Sequence, residues 1–416
     1  MLRGVRPWLA FVALGLALIS SAARSAAAQE LPDYRSLERV GLSMSWWGRA
    51  VVDASQDEIE FLIPDEQVVI AQSRQGLLTA FRNDTGRALW SVLLGRPGIR
   101  AFPAATNESE VIVTIGLHMY SLDKATGVIR WQLRVPNHPS CTPEIDDRMV
   151  YVGCVDGSTY AYDLRTIRNL FSERKLPEYS HNAQVWRYKT PDTVISVASD
   201  GHTVNFVSIV GALYGVDAPE RSLKYQIETN DRVETPMGRS RDALYLASED
   251  SRMLAVNVSN GRTRWAFTSG APIIRQPRVV GGQVFVSPIR SGMFCLDAAT
   301  GGELWRQREA SKFLAAGEKR LYALDDVGNL AAVDRASGRL AGRIPMRAFS
   351  VLAGNELTDR VYVATSTGLV VCLHEQGKSF PTYYRHPERR PILPEFAPEE
   401  GVASPEADDS GDDLTN

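Results

Sequence analysis

The chain has 416 residues, 44% of them apolar, with 46 basic and 49 acidic side chains and a formal net charge of −3. So even a balance leaves no broad electrostatic footprint for nucleic acid, and the length is enough to bury a large core. Four scattered cysteines exclude a small disulfide-framed domain.

Residues 1–28 read as a secretory signal peptide, with Arg3 and Arg6 as the basic start, an apolar run from Trp8 to Ile19, and Ala26-Ala27-Ala28 as the cleavage site. The apolar run is about a dozen residues, short of the roughly 20 that span a bilayer. No other stretch is apolar enough, so no transmembrane segment is expected in the mature chain. The leader holds no cysteine, so the expected location is exported, periplasmic or otherwise envelope-associated, without a lipid anchor. Residues 29–42 form a polar lead with a short helix expected at Tyr34 to Val40. The run Trp46 to Val52 then reads as a strand with no partner in its own neighbourhood.

From there one phrase recurs: a short strand, a tight turn at a glycine, and a second strand carrying an aromatic. The strong copies are Leu77 to Trp90, Met119 to Trp131, Met253 to Trp265 and Met293 to Trp305; weaker ones run Thr159 to Phe171, Leu213 to Tyr225, Leu330 to Gly342 and Leu369 to Lys378. The position four residues before the turn glycine falls at Arg82, Asp123, Asp163, Asp217, Asn257, Asp297 and Asp334, and its last counterpart is His374. A period of about forty residues in an all-strand unit predicts an all-β fold, an eight-bladed β-propeller of four-stranded antiparallel blades over 43–380. One blade cannot bury both faces, so neighbours must stack around a ring. The blades are expected at about 57–95, 100–135, 139–175, 193–230, 233–268, 272–309, 312–346 and 349–380, with an insertion at 174–192 between the third and fourth. Blade eight lacks a fourth strand because Pro381 stops its candidate, so the run Trp46 to Val52 is expected to complete it and close the ring. Residues 381–416, rich in Pro, Glu and Asp, are expected to be a disordered tail.

The aromatics Trp90, Trp131, Phe171, Tyr225, Trp265 and Trp305 are expected to dock between blades, where one large ring buries 150–250 Å². Gly86, Gly127, Gly261, Gly301 and Gly338 are expected at the repeat turns, where a positive φ costs glycine nothing. Gly342 stands where blade seven would carry its aromatic, so that seam is expected to be the weakest. The strands around Cys141 and Cys154 fold back on one another, making the pair a candidate disulfide in an exported protein, whereas Cys295 and Cys372 are expected to stay free. No catalytic, cofactor or metal constellation is expected. The six histidines show no ligand spacing, no oxygen-rich calcium run occurs, and no nucleophile elbow or phosphate loop is present.

The phrase A-x-D-x-x-T-G-x-x-x-W, preceded by V-Y-V, resembles the tryptophan-docking repeat of the pyrroloquinoline quinone (PQQ) enzyme family. The chain's size and secretory start are more similar to the BamB family of outer-membrane assembly propellers. The first resemblance implies a PQQ-dependent oxidoreductase holding the quinone with Ca²⁺; the second implies a non-catalytic scaffold with no cofactor and an envelope protein partner. The quinoprotein branch typically carries a vicinal cysteine pair, which is missing here. The expected function is therefore a monomeric, protein-binding scaffold of the cell envelope. A PQQ enzyme and a sugar- or polymer-binding propeller are the alternatives.

Overall fold

A computed structural model describes residues 31–96, 98–176, 180–229 and 231–385. The expected signal peptide and the acidic tail beyond residue 385 lie outside them.

Strands of four to six residues dominate, because each blade's sequence alternates short β-branched or aromatic runs with turn residues. They assemble into eight four-stranded antiparallel sheets. Seven are built from consecutive strands: blade one over 59–93, two over 105–134, three over 144–189, four over 194–228, five over 238–268, six over 278–307 and seven over 312–345. Blade eight combines Val351–Leu352, Val361–Ala364 and Leu369–Glu375 with β1 (Leu42–Arg49), which pairs antiparallel with Leu369–Glu375. The two ends of the propeller thus meet in one sheet, which removes an exposed edge. The closing strand starts four residues earlier than the apolar run suggested, since Leu42 is buried against Glu375 and Leu373.

The described residues form eight apolar clusters, and each lies between two neighbouring blades. The core is therefore distributed over eight seams. The middle two strands of the blades are the most buried, and second strands such as Val68–Ser73 and Glu110–Ile115 are buried along their whole length, polar Gln72, Ser73, Glu110 and Thr114 included. The outermost strands alternate, as a half-exposed sheet edge requires.

Two helices interrupt the pattern. α1 (Tyr34–Arg39) is capped by Asp33, whose carboxylate accepts the Ser36 amide at 3.0 Å. α2 (Leu164–Ser172) lies inside blade three, between its third and fourth strands. Its N-cap is the repeat aspartate Asp163, which accepts the Thr166 amide at 2.6 Å. In other blades the same bond opens a tight turn, as when Asp123 accepts the Thr126 amide at 2.9 Å. In blade three the residues after the aspartate lack the glycine, and Leu164 and Ile167 one turn apart supply a buried face, so a helix grows from the same start. The insertion therefore sits within blade three, and the fourth strand of that blade is Gln184–Lys189. The chain after blade eight is also ordered further than its composition suggested. Tyr383 bridges Thr358, and the Tyr384 hydroxyl donates to the Ala316 carbonyl at 2.6 Å.

Candidate functional site

Six seams are fastened by one repeated hydrogen bond. An outer-strand aromatic donates across the seam to the carbonyl of the residue just after the next blade's turn position. Trp46 donates to Asn83 (2.7 Å), Trp90 to Lys124 (2.9 Å), Trp186 to Ala218 (2.6 Å), Tyr225 to Val258 (2.8 Å), Trp265 to Ala298 (3.0 Å) and Trp305 to Arg335 (2.9 Å). The turn glycine completes the fit. Gly86, Gly127, Gly261, Gly301 and Gly338 have φ between 68° and 72°. A Cβ on Gly86 would also lie 2.4 Å from the Trp46 ring, and one on Gly301 would lie 2.5 Å from the Trp265 ring. Each glycine thus provides both a left-handed turn and a flat seat for the preceding blade's ring.

Three positions depart from the row. Phe171 is not a docking residue: it lies on α2 and is 47% exposed, and Trp186 takes the place at the edge of blade three. The signal was present in the sequence, since Gln-Val-Trp186-Arg-Tyr-Lys repeats the pattern of Ile-Arg-Trp131-Gln-Leu-Arg. Trp131 is fully buried but its indole nitrogen has no partner, because α2 replaces the turn whose carbonyl would accept it. At the third, Gly342, the seam to blade eight is filled by the N-terminal lead. A Cβ there would lie 3.1 Å from the Arg39 carbonyl oxygen and 3.2 Å from Val40 Cγ1. Leu37, Val40 and Leu42 join that seam's cluster, so it is not left short of apolar contact.

The candidate disulfide is absent, and all four cysteines are free and buried. Cys141 packs into the seam between blades three and four, and Cys154 into the seam between blades two and three. Strand proximity was the reason to pair them, yet they serve different seams. Burial pushes the Cys141, Cys295 and Cys372 thiols up to about 12.

With the strands antiparallel, the loops joining first to second strands share a face with the docking turns. On that face blades one to five and eight enclose a cleft of about 880 Å³. Blade one contributes Asp65 and Glu66, blade two Glu108, blade three Glu144, Asp146 and Asp147, and blade four Asp200. Against these seven carboxylates stand four cations: Lys124, Arg148, Arg239 and Arg385. Lys124 is buried in an ion pair with Asp65 (2.5 Å), and Arg239 pairs with Glu144 (2.6 Å). The Tyr151 hydroxyl lies buried in the lining beside Ser199 and Asp146. Burial, with the Asp146 carboxylate next, holds its phenol well above the ordinary value.

The opposite face, made of second-to-third-strand turns and blade-to-blade connections, has a different character. It presents Val51, Ile99, Val155, Val210, Ile274, Ile289 and Val327, all exposed, with Val51 at 80% and Val327 at 61%. Single exposed aliphatics are ordinary. Here they recur around one face of a ring.

A quinone site would need stacking walls and a metal held by clustered oxygen ligands. The docking tryptophans are sunk in the seams with their nitrogens committed, so they cannot wall such a site. Among the described residues no group of three or more His, Cys, Asp or Glu is placed to hold a metal ion.

A family model described as outer membrane protein assembly factor BamB matches residues 74–182 and 178–288, together just over half of the chain. Relatives bearing that description are similar in sequence. The Shewanella oneidensis protein is 23% identical over 384 residues, 85% of this chain and 95% of the relative. The Nitrosomonas eutropha protein is 22% identical over 253 residues, 59% of this chain, and the chain spans only 57% of that relative's length. Among solved structures, BamB from Moraxella catarrhalis has a TM-score of 0.62 at 16% identity, covering 81% of this chain and 98% of that one. The computationally designed protein Ika8 reaches 0.63 at 12% identity, covering 80% and 99%. At such identities the structures establish the propeller and nothing about its partners.

Proposed function

We propose, since the chain belongs to the family of outer membrane protein assembly factor BamB, that it is a non-catalytic propeller of the cell envelope that holds another envelope protein during outer-membrane assembly. The single observation that carries the partner-binding part is the ring of exposed valines and isoleucines on one face. β-branched side chains have little rotamer freedom to lose, so a partner can cover them at small entropic cost. No helix among the described residues is long and apolar enough to cross a membrane. The expected export signal would deliver the chain to the periplasmic side.

The test is genetic and direct. Deleting the gene in its host should lower the amount of folded outer-membrane β-barrel protein, and the wild-type gene should restore it. A stably folded Val155→Glu/Val210→Glu/Val327→Glu variant should not. Unchanged barrel levels after deletion overturn the reading.

The same reading holds that the protein carries no quinone. Calorimetric titration with PQQ and Ca²⁺ should show no binding tighter than about 10 μM, which corresponds to roughly −7 kcal/mol. Tighter binding with substrate-dependent dye reduction would establish the oxidoreductase instead.

A further inference from the structure

We propose that the partner of this propeller docks on the part of the apolar face formed by blades six and seven, through a segment that alternates carboxylates with aliphatic side chains. The inference rests on the scaffold reading above and adds to it a place and a chemistry. Three of the exposed aliphatics lie there. Ile274 is on the connection from blade five to blade six, Ile289 in the second-to-third-strand turn of blade six, and Val327 in that of blade seven. The loops that carry them are joined. The Ile289 amide donates to the Pro272 carbonyl at 2.9 Å. Arg275, next to Ile274, donates to the Ser311 carbonyl (3.4 Å) and pairs with Asp326 (3.5 Å), the neighbour of Val327.

The charge around these aliphatics is one-sided. Arg290, Arg308, Lys312 and Arg347 are exposed, and among the described residues none of them makes an ion pair. The acids of the same loops are already engaged: Arg275 holds Asp326, while Arg343 reaches Glu309 at 3.0 Å and Asp325 at 3.8 Å. The free cations sit beside the aliphatic turns. A Cβ on Gly292 would lie 2.6 Å from Arg308 Cα, and one on Gly328 would lie 3.3 Å from Arg347 Cγ. A guanidinium is less strongly hydrated than an ammonium and offers a planar fork that takes a carboxylate bidentately. Valine and isoleucine add apolar area with few rotamers to lose. The combination selects an acidic, aliphatic segment, whose charges fix approach and register while its aliphatics supply burial.

The same face argues against an anionic bilayer as the occupant. Next along the ring, blades four and five present Asp231, Glu234, Glu249 and Asp250, in loops joined by the Glu249 amide to the Arg232 carbonyl (2.9 Å). A membrane pressed on this face would meet those carboxylates too, whereas a peptide segment can lie over blades six and seven alone. The described loops of blades six and seven also expose no Trp, Tyr or Phe, the rings that settle at a lipid interface.

The experiment uses the full-length protein and two labelled peptides, EVEIEVEI and KVKIKVKI. Wild type should bind the acidic peptide at least tenfold more tightly than the basic one at 50 mM salt. Raising the salt to 500 mM should abolish most of that binding. R290E/R308E/R347E should bind the acidic peptide at least tenfold more weakly with an unchanged melting temperature, since all three side chains are exposed. R290Q/R308Q/R347Q, which only removes charge, should fall between the two. E234Q/E249Q, on the neighbouring blades, should bind as wild type does. Equal affinity for the two peptides, or acidic-peptide binding that survives R290E/R308E/R347E, overturns the assignment. Wild type that ignores the peptides but sediments with phosphatidylglycerol vesicles, and loses this in R290E/R308E/R347E, also overturns it and gives the surface to lipid. The outcome is separable from the scaffold reading. Barrel levels that fall on gene deletion, without selective peptide binding, keep the scaffold and remove this surface from it. Selective binding with unchanged barrel levels keeps the surface and removes the assembly role.

Discussion

Trp186 donates its indole N–H to the carbonyl of Ala218 at 2.6 Å, across the seam from blade three to blade four. Its ring also lies 5.9 Å from that of Tyr151, which reaches over the small Ala161 between them. Helix α2 separates Trp186 from the turn aspartate of its own repeat, yet the contact has the geometry of its counterparts in other blades. The seam selects the residue; the sequence interval does not.

Replacing Trp186 with alanine should therefore cost about 3–5 kcal/mol, the range for removing a large buried aromatic. Thermal unfolding should shift down by many degrees. Phe171→Ala, on the exposed side of α2, should stay within about 0.5 kcal/mol of wild type. Equal effects from the two changes would return the docking role to Phe171.

The ring, the eight blades and the closure through the N-terminal strand were legible because a forty-residue period with turn chemistry survives even in weak copies. Blade three misled for a definable reason. Asp163 hydrogen-bonds alike in a turn and in a helix cap, so the switch depends on Ile167 replacing glycine. The cleft could not be read at all, because its carboxylates come from loops of four blades spread from Asp65 to Asp200. Their sequence neighbours look like ordinary turns, and only the closed ring brings them together.

Gly342 supplies a second prediction. Installing the consensus aromatic there should harm the protein, because the position is already covered by Arg39 and Val40. Gly342→Trp should displace the N-terminal lead and lower the melting temperature, since overpacking typically costs 1–3 kcal/mol. A rise in melting temperature would show that the seam has room for a ring.

The Asp123 carboxylate is held down to about 2, chiefly by the hydrogen bond from Arg130 (2.5 Å) and also by Thr126. A depressed folded-state value stabilises the fold above the ordinary 3.8 and loses that contribution as pH falls through about 2. Asp123→Asn keeps an oxygen for the turn but loses the ion pair. It should cost about 1–2 kcal/mol at pH 7 after allowing for partial exposure. The gap to wild type should narrow between pH 4 and pH 2 in chemical denaturation. A gap independent of pH would mean that the pair contributes nothing through charge.

The cysteines give the last test. Cys295 and Cys372 stand on third strands where they pair with Trp305 and Trp46. Blades one, three, five and seven have Ala80, Ala161, Ala255 and Ala332 at that place. The position demands a small side chain so that the second-strand and outer-strand rings can meet above it, as Phe285 and Trp305 do at 6.1 Å. Sulfur chemistry is not part of that demand. Cys295→Ala and Cys372→Ala should each cost no more than about 1.5 kcal/mol, as near-conservative core changes do. Titration of the unreduced protein in denaturant should find four thiols. In the native state at pH 8 the reaction should be slow, because burial keeps the thiols protonated and out of reach. Two thiols in denaturant would restore the bridge between Cys141 and Cys154.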